Sequence, residues 1–434
     1  MRKRAIAAAA VAAAVSLVVA GCSSSGSGSS SSGATITYWA SNQGTSLAND
    51  KQVLTPVLDE FTKETGVKVK LEVIGWNDLQ TRIQTAVTSG QGPDVLNIGN
   101  TWAASLQATG AFLPFDDANM KSIGGSDKFV KTALETGGAP GKPVTSVPLY
   151  GLAYGLYYNK KMYTDAGLQP PTTWEELVAA AKKLTTGSQY GFSLAAGSYT
   201  ENVHFAFINA SQNGGEWFDS KGNPTFTQQA NIDGIKRYLD LMQTDKVVNP
   251  SNAQYDNGVQ AVNDFATGKV AMILSQNNAD ASIVSNGMKS DQYGVVPFPA
   301  PEGAKKIASF PAGINLSIFK NTKNKDAALK FVNYMTSEST QGKLAKPYAV
   351  LPVLNGVKPG FTDNADEAAT FQKIYNDMTK PLPLVPAEDQ FENTVGKAMN
   401  DMFAKIATGS TISDADIKTA MQNAQDQVKQ SLGG

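Results

Sequence analysis

The distribution of apolar and polar residues predicts alternating strands and helices from residue 36 onward. An extended segment at 36–39 precedes a helix whose apolar residues recur on one face until Gly66. Residues 67–73 then alternate apolar and charged side chains, as in a half-buried strand. A second helix from Asn77 and a short apolar strand at 95–98 complete a β-α-β-α-β order. This order predicts an α/β fold with a mostly parallel sheet covered on both faces.

The alternation continues with wider spacing through the middle of the chain. Thr173 and Glu176 form a predicted capping box at the start of a helix that runs to about Leu184. Further strands are predicted at 152–158, 190–194, 270–274 and 315–318. The rest is predicted to be mostly helical, with helices at 326–335, 367–378, 391–406 and 414–428. About 400 residues exceed a single core, so two domains are expected.

The amino terminus has the pattern of an export signal. Three basic residues precede an almost uninterrupted run of small apolar residues, which predicts a signal peptide over residues 1–21. The junction 19–22 resembles the bacterial lipobox, which implies cleavage before Cys22 and lipidation of its thiol. An uncleaved signal anchor is the alternative. Residues 22–34 are nearly all Ser and Gly and are predicted to form a flexible tether. We therefore expect an exported protein held to the outer face of the cell membrane through lipidated Cys22.

Composition argues against several classes of function. Cys22 is the only cysteine, and the only histidine, His204, lies in an apolar stretch that predicts a hydrogen-bonded core imidazole. Without Arg2, Lys3 and Arg4 the chain has 34 basic and 38 acidic residues, so no nucleic-acid surface is expected. No nucleotide, P-loop or EF-hand motif is present, and we predict no cofactor and no metal. A glycoside hydrolase needs only two carboxylates and stays open as an alternative.

Five segments in one order resemble the extracellular solute-binding proteins of ABC importers, in particular the oligosaccharide-binding family that includes maltose-binding protein. The resemblance spans nearly the whole chain after the tether. It rests on the motifs SGQGPDV at 89–95, GAFLPFD at 110–116, YYNK through PPTTWEEL at 157–177, FATGKVAM at 265–272 and DAALKF at 326–331.

The resemblance implies a two-lobed periplasmic-binding-protein-like fold of type II, with mixed, mostly parallel sheets flanked by helices. Lobe 1 would comprise residues 35–149 plus 311–344, and lobe 2 residues 150–310 plus 345–434. Hinges would lie near 148–151, 310–313 and 347–348. It also implies a monomeric receptor that is not an enzyme, and that has ABC permease subunits and, through them, an ATPase as partners.

Ligands of open α/β sheets bind beyond the carboxyl ends of strands. The loops at these ends carry neutral hydrogen-bonding residues, namely Ser41, Asn42, Gln43, Asn100, Thr101, Gln276, Asn277 and Asn278. By resemblance, the aromatic residues that border the cleft are Trp39, Trp102, Tyr154, Tyr199 and Phe391.

Amides and aromatic rings suit the hydroxyls and C–H faces of a neutral sugar, and the number of aromatic residues favours an oligosaccharide. One departure from the family is Gln276-Asn277-Asn278, where a sugar-stacking tryptophan commonly follows the Ala-Met strand. A binding protein for a non-sugar solute is the other alternative.

Overall fold

The computed structural model describes residues 33–432, so the predictions for the signal peptide, Cys22 and most of the tether lie outside the described residues. Nine strands form two sheets. They are β1 Thr35–Ser41, β2 Lys68–Ile74, β3 Val95–Gly99, β4 Ser146–Leu152, β5 Tyr154–Asn159, β6 Tyr190–Ser193, β7 Val270–Gln276, β8 Tyr293–Val296 and β9 Ala312–Ile318.

Sixteen α-helices lie between and after these strands in the described part of the chain. They are α1 Leu47–Thr65, α2 Trp76–Ser89, α3 Ala103–Ala108, α4 Asp117–Ser122, α5 Lys131–Glu135, α6 Lys160–Asp165, α7 Trp174–Leu184, α8 Tyr199–Gln212, α9 Gln229–Gln243, α10 Gly258–Ala266, α11 Ala279–Ser285, α12 Lys325–Met335, α13 Glu338–Tyr348, α14 Ala365–Asp377, α15 Glu388–Ala407 and α16 Asp414–Ser431. Short 3-10 helices span Asn100–Trp102, Ser126–Lys128 and Pro250–Gln254.

The first sheet has the strand order β2-β1-β3-β9-β4, and the second has the order β6-β7-β5-β8. Strand β1 is parallel to β2 and to β3, and β6 is parallel to β7. The remaining pairs, β3–β9, β4–β9, β5–β7 and β5–β8, are antiparallel. The sheets are therefore mixed, and the predicted parallel arrangement holds only for the strands that alternate with helices.

The strand predicted at 152–158 is β5 preceded by the last residue of β4, and the rest of β4 was not predicted from the sequence. The apolar run around 152–158 breaks at Ala153, where the chain leaves the first sheet at the end of β4 and enters the second as β5. The break is not visible in the sequence because every residue of β4, and all of β5 except Tyr158, is buried, which removes any change of pattern.

Local signals explain where several helices begin and end. Thr173 and Glu176 form the predicted capping box of α7, and Ser413 and Asp416 form the same motif at α16. Helix α1 ends at Gly66, whose φ of 74° is a left-handed conformation that glycine adopts without strain. Both predicted capping boxes and the predicted end of α1 at Gly66 are therefore confirmed.

The carboxyl-terminal helices belong with the second sheet in the packing of the core. Helix α15 packs on α8, α9 and α16, and α14 packs on β5 and β8. Helix α13, which precedes them, packs instead on α1 and α12 beside the first sheet. Among residues 33–432 no helix is both long and apolar enough to cross a membrane.

Candidate functional site

Three stretches of chain pass between the sheets, and they meet at Gly151. Gly151 is paired with Gly313 of β9 and also forms an isolated bridge with Leu351. A Cβ atom on Gly151 would lie 3.0 Å from the ring of Tyr375, so any larger residue here would press on that ring. The crossings therefore lie side by side, and the strand ends of both sheets face the region around them.

A chain of buried hydrogen bonds joins the end of β3 to the second sheet. The indole Nε1 of Trp102 donates to Oε2 of Glu392 on α15 over 3.1 Å, and Oε1 of Glu392 lies 3.2 Å from Nε2 of His204 on α8. Nδ1 of His204 lies 3.0 Å from the hydroxyl of Tyr154, the first residue of β5. All four side chains are buried. This connection links the two sheets directly through polar side chains.

The proton positions in this chain of bonds follow from its ends. An indole N–H can only donate, so Glu392 accepts from Trp102. Burial raises the pKa of Tyr154 well above its usual value, so its hydroxyl keeps its proton and can donate to Nδ1 of His204. In the tautomer in which Nδ1 accepts this bond, Nε2 of His204 carries the proton and donates to Glu392. The predicted hydrogen-bonded core imidazole is confirmed, but it lies at the candidate site.

The end of the first sheet presents an aromatic surface. Trp102 packs edge-on against Trp76, with ring centroids 5.6 Å apart, and Trp76 is 36% exposed. The guanidinium of Arg82 lies 4.6 Å from the ring centre of Trp39 and pairs with Glu72 at 2.6 Å. Trp76 was not assigned a role from the sequence, although it directly follows a strand and a glycine.

The loop after β1 is held by a buried carboxylate that sequence reasoning missed. Asp50 of α1 accepts hydrogen bonds from the backbone N–H groups of Gln43 and Gly44 and from the side-chain amide of Asn42. The side chain of Asn42 is therefore bonded to Asp50 within this part of the fold. Gln43 is held by its backbone, and its side-chain amide makes no hydrogen bond with the described residues.

Of the other residues predicted at the site, two form buried hydrogen bonds within the fold and two are partly exposed. Ser41 accepts from Asn97, and the amide of Asn100 donates to the carbonyl of Pro311, so both are committed to the fold. Thr101 and Tyr199 are partly exposed.

Gln276 is the register partner of Tyr154 across β5 and β7. Gln276 and Asn278 are both partly exposed, and their side chains form no hydrogen bonds within the described residues. The carboxyl end of β7 therefore lies next to Tyr154, the residue at which the series of buried hydrogen bonds ends.

Asn277 and Phe391 lie inside the protein, against the prediction that they contact ligand. The Asn277 side chain is fully buried, accepts from the backbone N–H of Ala153 at 2.8 Å and donates to the carbonyl of Ala349 at 2.5 Å. It thus ties two crossings together. Phe391 is also fully buried and packs against Trp217, Phe218 and Phe226.

Glu388 and Glu392 carry the site chemistry that sequence analysis did not identify. They are one turn apart on the face of α15 that also carries Phe391 and Val395, and both are buried. Acidic residues at apolar positions of a helix are a signal that was available in the sequence. Within residues 33–432 no group of three or more His, Cys, Asp or Glu residues is arranged to hold a metal ion.

Comparison with known proteins agrees with this architecture. Diacetylchitobiose binding protein DasA of Streptomyces coelicolor is 26% identical over 370 residues, covering 83% of this chain and 82% of the relative. The mannitol-binding protein of Pseudomonas aeruginosa is 25% identical over 404 residues, covering 88% and 90%.

The GacH receptor of Streptomyces glaucescens, whose structure has been solved unliganded and with acarbose, has the same fold. Its TM-score is 0.77 at 23% identity, covering 92% of this chain and 98% of that one. The family model described as bacterial extracellular solute-binding protein matches residues 11–342. With three quarters of its sequence accounted for by that model, the chain belongs to the bacterial extracellular solute-binding proteins.

Proposed function

We propose that this chain is the substrate-binding lipoprotein of a carbohydrate ABC importer, which captures a sugar between two lobes and delivers it to the permease and its ATPase. The observation that carries the proposal is the hydrogen bond from Trp102 to Glu392. It joins a strand end of the first sheet to a helix of the second, so a ligand bound there contacts both sides. The ligands named for the relatives, diacetylchitobiose and mannitol, support a carbohydrate.

We propose two lobes, residues 35–149 plus 311–344 and residues 150–310 plus 345–434. Strand β4 pairs with β9 as far as Leu152 and α13 packs on α1 and α12 as far as Tyr348, so these elements extend the first lobe by a few residues at both boundaries. The presence of β9 in the first sheet and the packing of α15 and α16 on α8 and α9 support this division. A sugar that contacts both lobes favours the closed arrangement, because only there do both sets of side chains reach it. Permease recognition of the closed form then couples capture to transport.

Carbohydrate is supported by the groups that are free to bind. The amides of Gln43, Gln276 and Asn278 can each donate to and accept from hydroxyls. The partly exposed indoles of Trp39 and Trp76 offer flat apolar faces for the C–H surface of a pyranose ring. No phosphate or carboxylate is expected in the ligand, because Arg82, the cation next to this surface, is paired with Glu72.

Anchoring through Cys22 would hold this receptor at the outer face of the cell membrane. Lipid chains on Cys22 and the Ser/Gly tether would keep the folded domain close to the permease and raise its effective concentration there. We propose that the protein acts there as a monomer. Replacing Cys22 with Ala should shift the protein from the membrane fraction to the soluble fraction of cells, and an unchanged distribution would contradict the anchor.

The test of binding uses the Cys22→Ala protein in calorimetric titrations with neutral di- to tetrasaccharides and sugar alcohols. We expect saturable one-to-one binding of at least one carbohydrate. Combined Gln43→Ala and Gln276→Ala substitutions should weaken it by about tenfold, as two lost hydrogen bonds imply. Gln422→Ala, at an exposed position of α16, is the matched control. Binding of amino acids or peptides, and of no carbohydrate, would overturn the proposal.

A glycoside hydrolase is the second candidate because Glu388 and Glu392 form a carboxyl pair. The carboxyls of such enzymes flank the scissile bond at about 5 Å or more, so that sugar fits between them. Here both carboxyls are buried, and Glu392 is bonded to Trp102 and His204, so the pair does not flank an open space for a sugar. We therefore expect no release of new reducing ends from oligosaccharides, and sustained turnover would establish the hydrolase instead.

A further inference from the structure

Two short segments of chain lie side by side between the two sheets. Residues 149–153 and 349–353 run in opposite directions, with the bridge between Gly151 and Leu351 at their centre. The backbone N–H of each of these two residues donates to the carbonyl of the other over 2.9 Å. The segments therefore form a narrow two-chain ribbon, and each end of this ribbon is bonded to a different part of the protein.

The end of the ribbon next to the first sheet is held by Gln341 of α13. Its Nε2 donates to the carbonyl of Leu149 over 2.9 Å, and its Oε1 accepts from the N–H of Val353 over 3.2 Å. The carbonyl of Val353 also accepts from the N–H of Val130, which precedes α5 on β4. Gln341 is buried, and α13 packs on α1 and α12. One glutamine thus fastens both chains to the elements around the first sheet.

The opposite end of the ribbon is held in the same way by Asn277, which directly follows β7 of the second sheet. Its side chain bonds the N–H of Ala153 and the carbonyl of Ala349, one residue on each chain. Its own N–H donates to the carbonyl of Ala153 over 3.1 Å. The two buried amides therefore hold the same pair of chains from opposite sheets, with Gly151 and Leu351 between them.

The half of the ribbon next to Gln341 has empty space beside it. A cavity of about 80 Å³ is lined by α13 and by both chains of the ribbon, including Leu149, Tyr150, Gln341, Val350, Leu351 and Pro352. A close-packed interior resists displacement, so the chain moves most easily where a void adjoins it. The ribbon can therefore bend on this side, within the limit that the bonds of Gln341 set.

We propose that Gln341 and Asn277 are positioning residues for ligand binding, because they hold the two ends of the ribbon to different lobes and confine rotation of the lobes to the residues between them. This inference rests on the proposed function and adds the residues that set the angle between the lobes. With both amides bonded, Trp102 reaches Glu392 across the two sheets. Loss of either amide lets the lobes take more orientations, so fewer molecules are ready to close on ligand and the apparent affinity falls in proportion.

Gln341→Met tests this role, because it removes both bonds and keeps the approximate size of the side chain. The matched control is Gln243→Met. Gln243 is also buried and also bonds the backbone twice, donating to the carbonyl of Ile412 over 3.2 Å and accepting from its N–H over 3.0 Å. These bonds join α9 to the residues before α16, both beside the second sheet. Both variants should lower the urea midpoint of unfolding to a similar extent, but only Gln341→Met should change how the lobes are arranged.

Small-angle X-ray scattering of the ligand-free Cys22→Ala protein measures the separation of the lobes. We expect a larger radius of gyration for Gln341→Met than for the parent, and an unchanged one for Gln243→Met. The probes for binding are neutral di- to tetrasaccharides and sugar alcohols, titrated calorimetrically. Gln341→Met should bind the parent's preferred carbohydrate about three- to tenfold more weakly, as the loss of one or two hydrogen bonds to the ribbon implies. Gln243→Met should bind it as the parent does.

Asn277→Leu is the second variant, for use if Gln341→Met does not fold, and it should enlarge the radius of gyration in the same way. An unchanged radius in the folded variant, or an equal increase in Gln243→Met, overturns the inference. Equal losses of affinity in the two glutamine variants also overturn it. Binding of no carbohydrate by the parent overturns the proposed function, whereas scattering of the ligand-free protein still decides whether the two amides set the arrangement of the lobes.

Discussion

The residues that follow β1, β2 and β3 form an open, neutral and aromatic side of the site, whereas α8 and α15 form a buried and acidic side. On the first side Trp76 is 36% exposed, and the buried Gln43 has a side-chain amide that forms no hydrogen bond among the described residues. On the second, Glu388, Glu392 and His204 are buried and held close together. The bond from Trp102 to Glu392 is where the two sides meet.

The difference between these sides indicates what each contributes. Exposed rings exchange water for the apolar faces of a sugar at small net gain, so they tolerate many sugars. The buried groups bond to one another and to Trp102 in a low-dielectric environment. The aromatic side should therefore contact the sugar, and the acidic side should hold the two sheets together.

The largest effect is expected for Trp102, which belongs to both sides. Trp102→Ala removes a buried indole from the core cluster around α2 and α3 and leaves Glu392 without a donor. The free energy of unfolding in urea should fall by about 3–5 kcal/mol. Trp76→Ala, the neighbouring exposed ring, is the control and should cost less than about 1 kcal/mol. Equal losses for the two variants would mean that the two sides are not joined at Trp102.

A smaller effect is expected for Asn277, whose side chain joins two of the segments that pass between the sheets. Asn277→Leu preserves the approximate volume but leaves the N–H of Ala153 and the carbonyl of Ala349 without partners. We expect a loss of about 2–3 kcal/mol in unfolding free energy. Asn278→Leu changes an adjacent, partly exposed amide that forms no such bond and should stay within about 0.5 kcal/mol of the parent. A larger loss at Asn278 than at Asn277 would contradict this assignment.

The acidic side should also set a pH dependence of stability. Burial raises the pKa of Glu388 above its usual value and that of Glu201 to about 7. The folded state thus holds protons that the unfolded chain releases from about pH 4.5 upward, so their stabilisation is present below that pH and is lost as the pH rises through the folded-state values. The unfolding free energy at pH 8 should be at least about 2 kcal/mol lower than at pH 5.

Urea unfolding at several pH values measures this decline. Glu388→Gln cannot titrate and should show a shallower decline, whereas Asp401→Asn, at an exposed position of the same helix, should follow the parent. Identical slopes in all three proteins would show that Glu388 has the same protonation in the folded and unfolded states.

Much of the first sheet could be predicted from sequence because its signals are local. The alternation in β2 and the polar residues after β1 and β3 each depend on a few adjacent positions, as does the capping box of α7 beside the second sheet. The resemblance places residues 311–344 in the first lobe, but the antiparallel pairing of β9 with β3 and β4 joins segments that are distant in the chain, so no local pattern indicates it. The same holds for Ala153, where a buried run passes from one sheet to the other without a change of composition.

The acidic side could not be assembled from sequence for a related reason. Glu392 is 188 residues from His204 and 290 from Trp102, and no local pattern records these contacts. The strand-end rule found Trp102 and the family resemblance supplied Tyr154, but neither could supply the helix between them. The strand-end rule also could not distinguish Asn277, whose side-chain amide is hydrogen-bonded to the backbone, from its neighbours Gln276 and Asn278.

The indole of Trp102 also provides an intrinsic fluorescence signal for the relative movement of the lobes. It is one of five tryptophans, it donates to a buried carboxyl, and it stacks edge-on with Trp76. Separation of the lobes breaks the bond to Glu392 and exposes the ring to water. The emission of this single residue should then shift to longer wavelength, so opening and closing can be followed without an attached dye.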